Sequence, residues 1–138
     1  MYNLNISKMD LTLEELAILE SEMLKRKKSK EAAWGLWAIM HFLGAHRFYT
    51  ENYKYATAML LTSITPLFAI IILFYTVEYF NSFTEILMYI FIFLLIGSVI
   101  WSWIDAFFLN KRIDDLNENT ENHILDAIRE RRNLRKPE

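Results

Sequence analysis

Charge is distributed along this chain in blocks. Three stretches hold no Asp, Glu, Lys or Arg: Ala32–His46 (15 residues), Tyr55–Val77 (23 residues) and Ile86–Ile104 (19 residues). The second and third are apolar on all faces, as helices surrounded by lipid should be. About 20 helical residues cross a hydrocarbon layer ~30 Å thick, so each is long enough to span. Glu78–Glu85 between them is too short for a domain, which makes the pair an antiparallel hairpin. Ala32–His46 reaches only ~22 Å at ~1.5 Å per residue and is short for a crossing.

The flanking segments follow a different pattern. Thr12 and Glu15 form a capping box ahead of Leu16, Ala17, Ile18 and Leu19. Leu13, Leu16, Ala17, Glu20 and Leu24 then repeat at helical spacing and give one mostly apolar face. Glu14, Glu15, Glu20 and Glu22 precede Lys25, Arg26, Lys27, Lys28 and Lys30, an order that suits the helix dipole. This segment packs on another extramembrane helix or lies on anionic headgroups through its basic end. Ile113–Arg135 reads as a second amphipathic helix, broken by the polar run Asn117–Asn122, with Thr120 as the N-cap of a separate segment from Glu121. Pairing it with Leu13–Leu24 would bury both apolar stripes.

The fold class expected is therefore all-α: an integral membrane helical hairpin plus a short interfacial or re-entrant helix, with amphipathic cytosolic helices at both ends. The domains are 1–30, a cytosolic amphipathic helix; 31–110, the membrane part; and 111–138, a cytosolic charged tail. Basic residues set the orientation. Six precede Ala32, Arg47 and Lys54 follow the first uncharged stretch, none lies in Glu78–Glu85, and seven follow Leu109. Both termini are thus expected in the cytosol, in a multi-pass protein of the cell membrane whose segment Ala32–His46 does not cross.

Composition narrows the function classes. A net charge of −2 argues against a nucleic-acid partner, which would require a basic surface. Without Cys there are no disulfides, thiolate nucleophiles or Cys-based metal sites. His41 and His46 stand about 140° apart on a helix and His123 is remote, so no metal site is expected. No nucleophile–base pair and no Gly-rich phosphate loop is present. We expect no catalytic residues, no cofactor and no enzyme activity.

A few residues carry more information. Asp105 sits about six residues, or ~9 Å of helix, inside Lys111 and Arg112. A carboxylate at that depth costs on the order of 2–3 kcal/mol unless it is paired or reaches water. Arg47 is the partner expected, in a clamp between helix ends; a proton or cation site and snorkelling to interfacial water are the alternatives. Gly44 ends the short helix in a left-handed cap and introduces His46-Arg47-Phe48-Tyr49. Pro66 interrupts Tyr55–Val77 and predicts a kink, with Thr62, Ser63 and Thr65 placed to satisfy the freed backbone groups.

Two blocks resemble the TM2 domain family of small membrane modules. One is Phe42-Leu43-Gly44-Ala45-His46-Arg47-Phe48-Tyr49; the other runs from Gly97 through Trp101 to Asp105. Together they make the resemblance cover Lys30–Leu109. In place of the Gly that the family carries after Phe-Tyr stand Thr50-Glu51-Asn52, and Thr62–Gly97 is longer than the family norm. The resemblance implies a non-enzymatic membrane protein; animal members are linked to signalling and phagocytic processes. Besides the lipid bilayer, the partners expected are a protein or a second copy, bound through the cytosolic helices and the His46–Tyr49 turn. An oligomeric channel or permeation unit and a membrane-embedded immunity or toxin component are the competing functions.

Overall fold

The computed structural model describes residues 8–76 and 81–134. They form α1 (Leu13–Arg26), α2 (Lys30–Met40), α3 (Ala45–Tyr49), α4 (Tyr53–Thr76) and α5 (Ser82–Leu134), with short 3-10 turns at Lys8–Asp10 and His41–Leu43. No strand occurs among the described residues. The chain divides into two compact units. One joins Met1–Lys28 to Ile113–Glu138; the other is Ser29–Arg112. The two charged ends, separate in sequence, thus fall in one unit.

In the first unit, α1 starts at the expected capping box. The Thr12 hydroxyl accepts from Glu15 N at 3.3 Å, and the Glu15 carboxylate accepts from Thr12 N at 2.9 Å. Leu19, Ile124 and Ile128 form the core, with Leu11, Met23 and Leu125 against them. The helices run antiparallel. Arg132 donates to Glu15 near the start of α1, and Asn117 holds Lys28 just beyond its end, accepting from the backbone N–H at 2.8 Å and donating to the carbonyl at 3.0 Å. Pairing occurs, but through a neighbouring face. Leu13 and Leu24, at the two ends of the stripe expected to be covered, are 87% and 85% exposed. Leu19 and Met23, one step round the helix, meet the branched Ile124 and Ile128 instead, and Leu16 on the same side lines an open groove with Leu19 and Met23.

The tail helix is also unbroken, contrary to expectation. Thr120 is not an N-cap; its hydroxyl donates back to the Leu116 carbonyl at 2.8 Å inside a continuous α5. Exposed Asn and Glu tolerate a helical backbone, and no Pro or Gly interrupts the run. Arg135, the last residue of the expected segment, lies outside the described residues.

In the second unit, α4 and α5 are each long and apolar enough to cross a membrane. Asn81 and Thr84 start α5 with a reciprocal cap: Asn81 Oδ1 accepts from Thr84 N at 3.0 Å, and Thr84 Oγ1 from Asn81 N at 2.9 Å. The connection expected over Glu78–Glu85 is thereby shortened at its end; positions 78–80 lie outside the described residues. α4 runs through Pro66 without a break. Two of the three hydroxyls expected to serve the freed backbone groups go elsewhere: Thr62 donates to Ala58 O at 2.9 Å, and Ser63 to the Phe42 carbonyl. Ser63 also bonds Ser98, tying α4 to α5. On α5 the buried positions Ser98, Ser102, Asp105 and Leu109 follow one another at helical spacing. This membrane helix therefore hides two serines and an aspartate along one face and shows apolar side chains outward.

Candidate functional site

A left-handed glycine builds the site. Gly44 has φ +72° and donates to His41 O at 3.2 Å, ending the turn after α2 and starting α3. A Cβ there would meet Met59 Cβ at 3.1 Å and Ala56 O at 3.2 Å, so the backbone lies directly on α4. Hydrogen bonds then hold α3 in place: Thr50 Oγ1 donates to His46 O at 3.0 Å, and Tyr49 OH accepts from Ser29 N at 2.8 Å. Glu51 follows with φ +59°. A left-handed residue thus stands in the segment where the resemblance expects a glycine, with a side chain that strains it.

α3 delivers His46 and Arg47 to Asp105 on α5. His46 is fully buried; Arg47 and Asp105 are 7% and 3% exposed. Arg47 Nε donates to Asp105 Oδ2 at 2.7 Å and its Nη2 donates to Oδ1, a two-pronged contact. His46 Nε2 lies 2.7 Å from Oδ2. A carboxylate among arginine donors acts as an acceptor, so this ring nitrogen carries the hydrogen. His46 Nδ1 is left buried without a partner. The Arg47 guanidinium also sits 4.8 Å from the centre of the Tyr55 ring.

Arg112 is the participant that the sequence reading missed. Its Nη2 and Nη1 donate to Asp105 Oδ1 and Oδ2 at 2.8 and 3.3 Å. Arg47 is therefore not the only base in reach. The signal was present: Arg112 follows Asp105 by seven residues, two turns along the same helix face. Two guanidiniums against one carboxylate leave an excess positive charge, which works against a cation site. With donors on both carboxylate oxygens, the chemistry is that of an anchor joining α3 to α5.

Aromatic contacts extend the anchor. Trp37 stacks edge-on with Trp34 and with Trp103, at 5.5 Å in each case, and its indole N–H donates to Ser102 O at 3.1 Å. Trp34 donates to Asn110 Oδ1 at 2.8 Å. Phe48 is half exposed with its ring 6.4 Å from Tyr53. Gly97 and Trp101 of the second block lie outside the cluster: a Cβ on Gly97 would meet nothing within 4 Å, and it is Trp103 rather than Trp101 that stacks. Pro66 is buried within α4. No group of His, Asp and Glu suited to a metal ion occurs among the described residues.

Residues 26–77 match the family model of the TM2 domain. The match contains Gly44 and the His46–Tyr49 turn and ends before the block at Gly97–Asp105, a shorter span than the resemblance drawn from the two blocks. Comparison with curated proteins and with solved structures gives no match.

Proposed function

With a TM2 domain over residues 26–77 as the premise, we propose that this small membrane protein is a non-enzymatic, multi-pass anchor of the cell membrane. Both termini are cytosolic, and the paired helices α1 and the α5 tail engage a protein partner. Two apolar helices support the membrane placement, and the bases on both terminal segments, against none in Glu78–Glu85, support the orientation.

The observation that carries the partner reading is the exposure of Leu13 and Leu24 on α1, in a helix pair that already has its own core. The His46–Tyr49 turn adds little to that surface. His46 and Arg47 are buried on Asp105, and the Tyr49 hydroxyl is bonded to Ser29. Ser63 and Ser98, two of the hydroxyls that could line a permeation path, are buried on one another, with Ser63 also bonded to the Phe42 carbonyl.

The test uses single cysteines at Ser21, Ser82 and Asn133, since the chain has no native Cys. A membrane-impermeant thiol reagent applied to intact cells is expected to label only the Ser82→Cys protein. Labelling of Ser21→Cys would overturn the cytosolic N-terminus and restore a third crossing. Ion flux through liposomes carrying the purified protein, above that of empty liposomes, would replace the anchor with a permeation unit.

A further inference from the structure

The membrane unit is packed in one half only. Ser63 and Ser98, bonded to one another, stand near the middle of α4 and midway between Ser82 and Arg112 on α5. From that level toward Tyr53 and Arg112 buried positions recur: Ala56 and Met59 on α4, and Ser102, Asp105 and Leu109 on α5. In the other direction Pro66 is buried one turn beyond Ser63, and after it packing stops. Residues 67–76 of α4 and 82–97 of α5 include no buried position.

A hairpin of residues 29–49 fills the packed half. Its two ends meet where Tyr49 OH accepts from Ser29 N at 2.8 Å. From there α2 runs inward, antiparallel to α5: Trp34 bonds Asn110, and Trp37, one turn on, bonds the Ser102 carbonyl. The Phe42 carbonyl reaches Ser63 at the middle of α4. Gly44 then reverses the chain, and α3 returns past Asp105, held by His46 and Arg47, to Tyr49. The hairpin descends to the level of Ser63 and Ser98 and comes back to the side it left.

Four arms, α2, α3, α4 and α5, therefore stand in one half of the bilayer, and α4 and α5 alone in the other. A helix ~10 Å across occupies on the order of 80 Å² of a leaflet, so the two extra arms widen one side by about 160 Å². Lipid fills the narrower side at least cost where the membrane bends around the wider one. We propose that the protein recognises membrane shape, with residues 29–49 as a wedge that favours a bilayer whose cytosolic leaflet is convex. Assigning the wide side to the cytosol rests on the orientation proposed above.

The experiment places the full-length chain, carrying Ser21→Cys or Ser82→Cys, at low density in giant vesicles of phosphatidylcholine, from which narrow tubes are drawn outward. An impermeant fluorescent maleimide added outside marks only molecules that present that residue outward. Protein marked at Ser21→Cys is expected to be several-fold denser on the tube than on the vesicle, increasingly so as the tube narrows. Protein marked at Ser82→Cys is expected to be depleted. Two exposed rings of α5 then give changes of opposite sign. Phe93→Ala trims the narrow half and should raise the enrichment, and Phe107→Ala trims the wide half and should lower it.

Equal density on tube and vesicle would overturn the proposal, as would depletion of the protein marked at Ser21→Cys. Enrichment that appears only at high protein density, or that both phenylalanine changes shift alike, would replace the wedge with crowding by the charged unit. The vesicles tell the two sides apart by Ser21 and Ser82, whichever compartment each faces in the cell. Loss of sorting therefore leaves the anchor standing, whereas labelling of Ser21→Cys on intact cells counts against the anchor's orientation.

Discussion

The same chemical group, an arginine fork on a carboxylate, occurs in both units in opposite surroundings. In the membrane unit, Arg47 and Arg112 hold Asp105, whose side chain is 2% exposed. In the charged unit, Arg132 holds Glu15, with side chains 33% and 19% exposed. Water stands ready to replace Arg132 if it leaves Glu15, but not to replace Arg47 at Asp105. The first contact is therefore a structural requirement, and the second adjusts a helix pair already held by Leu19, Ile124 and Ile128.

The largest effect should follow from Asp105→Asn, which leaves Arg47 buried without its counter-charge. We expect a loss of about 3–5 kcal/mol in detergent-solubilised thermal stability. Arg47→Gln is expected to cost less, because Arg112 still neutralises the carboxylate. The double change should be more stable than Asp105→Asn alone, and strictly additive losses in the four-protein cycle would show that the two groups do not interact.

Gly44→Ala probes the turn that delivers the cluster. A left-handed backbone costs a non-glycine residue about 1–2 kcal/mol, and the added Cβ also presses on Met59 and Ala56. A drop of about 2 kcal/mol or more is expected, measured by the same melting assay. Glu51→Gly works in the other direction, since φ +59° suits glycine. It should raise stability by up to about 1 kcal/mol, and a loss instead would mean that the Glu51 side chain holds the turn.

The smallest effect belongs to the surface fork. Hydrogen bonds from Arg132, then from the Thr12 backbone, pull the Glu15 carboxyl down to about 2 from its ordinary value of 4.5. A depressed acid stabilises the folded form above its unfolded value. That contribution is complete above about pH 4.5 and disappears as the pH falls toward 2. Spin labels on Ser21 and Asn122 should report a broadening distance distribution over that interval. In the Glu15→Gln protein, the broadening over that interval should be reduced.

Much of this was legible in advance where a single strong signal governs. The uncharged stretches gave the two membrane helices, Thr12 and Glu15 gave the start of α1, and Gly44 gave the left-handed cap. The proximity of Arg47 to Asp105 followed from the cost of an uncompensated carboxylate in lipid. What failed to show were choices between near-equal neighbours. α1 has two apolar rows about a quarter-turn apart, and only the shape of Ile124 and Ile128 decides between them. Thr120 has the chemistry of a cap and of a back-bonded helical hydroxyl alike. Ser63, near Pro66, had tertiary partners, Phe42 and Ser98, that no local pattern announces. Arg112 was visible at its seven-residue spacing, yet it served only as a marker of the membrane edge.

The tryptophans give this division a spectroscopic consequence. All four, at positions 34, 37, 101 and 103, belong to the unit Ser29–Arg112. Trp34, Trp37 and Trp103 touch through ring contacts of 5.5 Å, close enough for coupled near-ultraviolet transitions. Intrinsic emission and near-ultraviolet dichroism thus observe the membrane anchor and are blind to the charged helix pair. A transition seen in far-ultraviolet ellipticity but silent in tryptophan emission belongs to α1 and the α5 tail, so one unlabelled sample separates the melting of the two units.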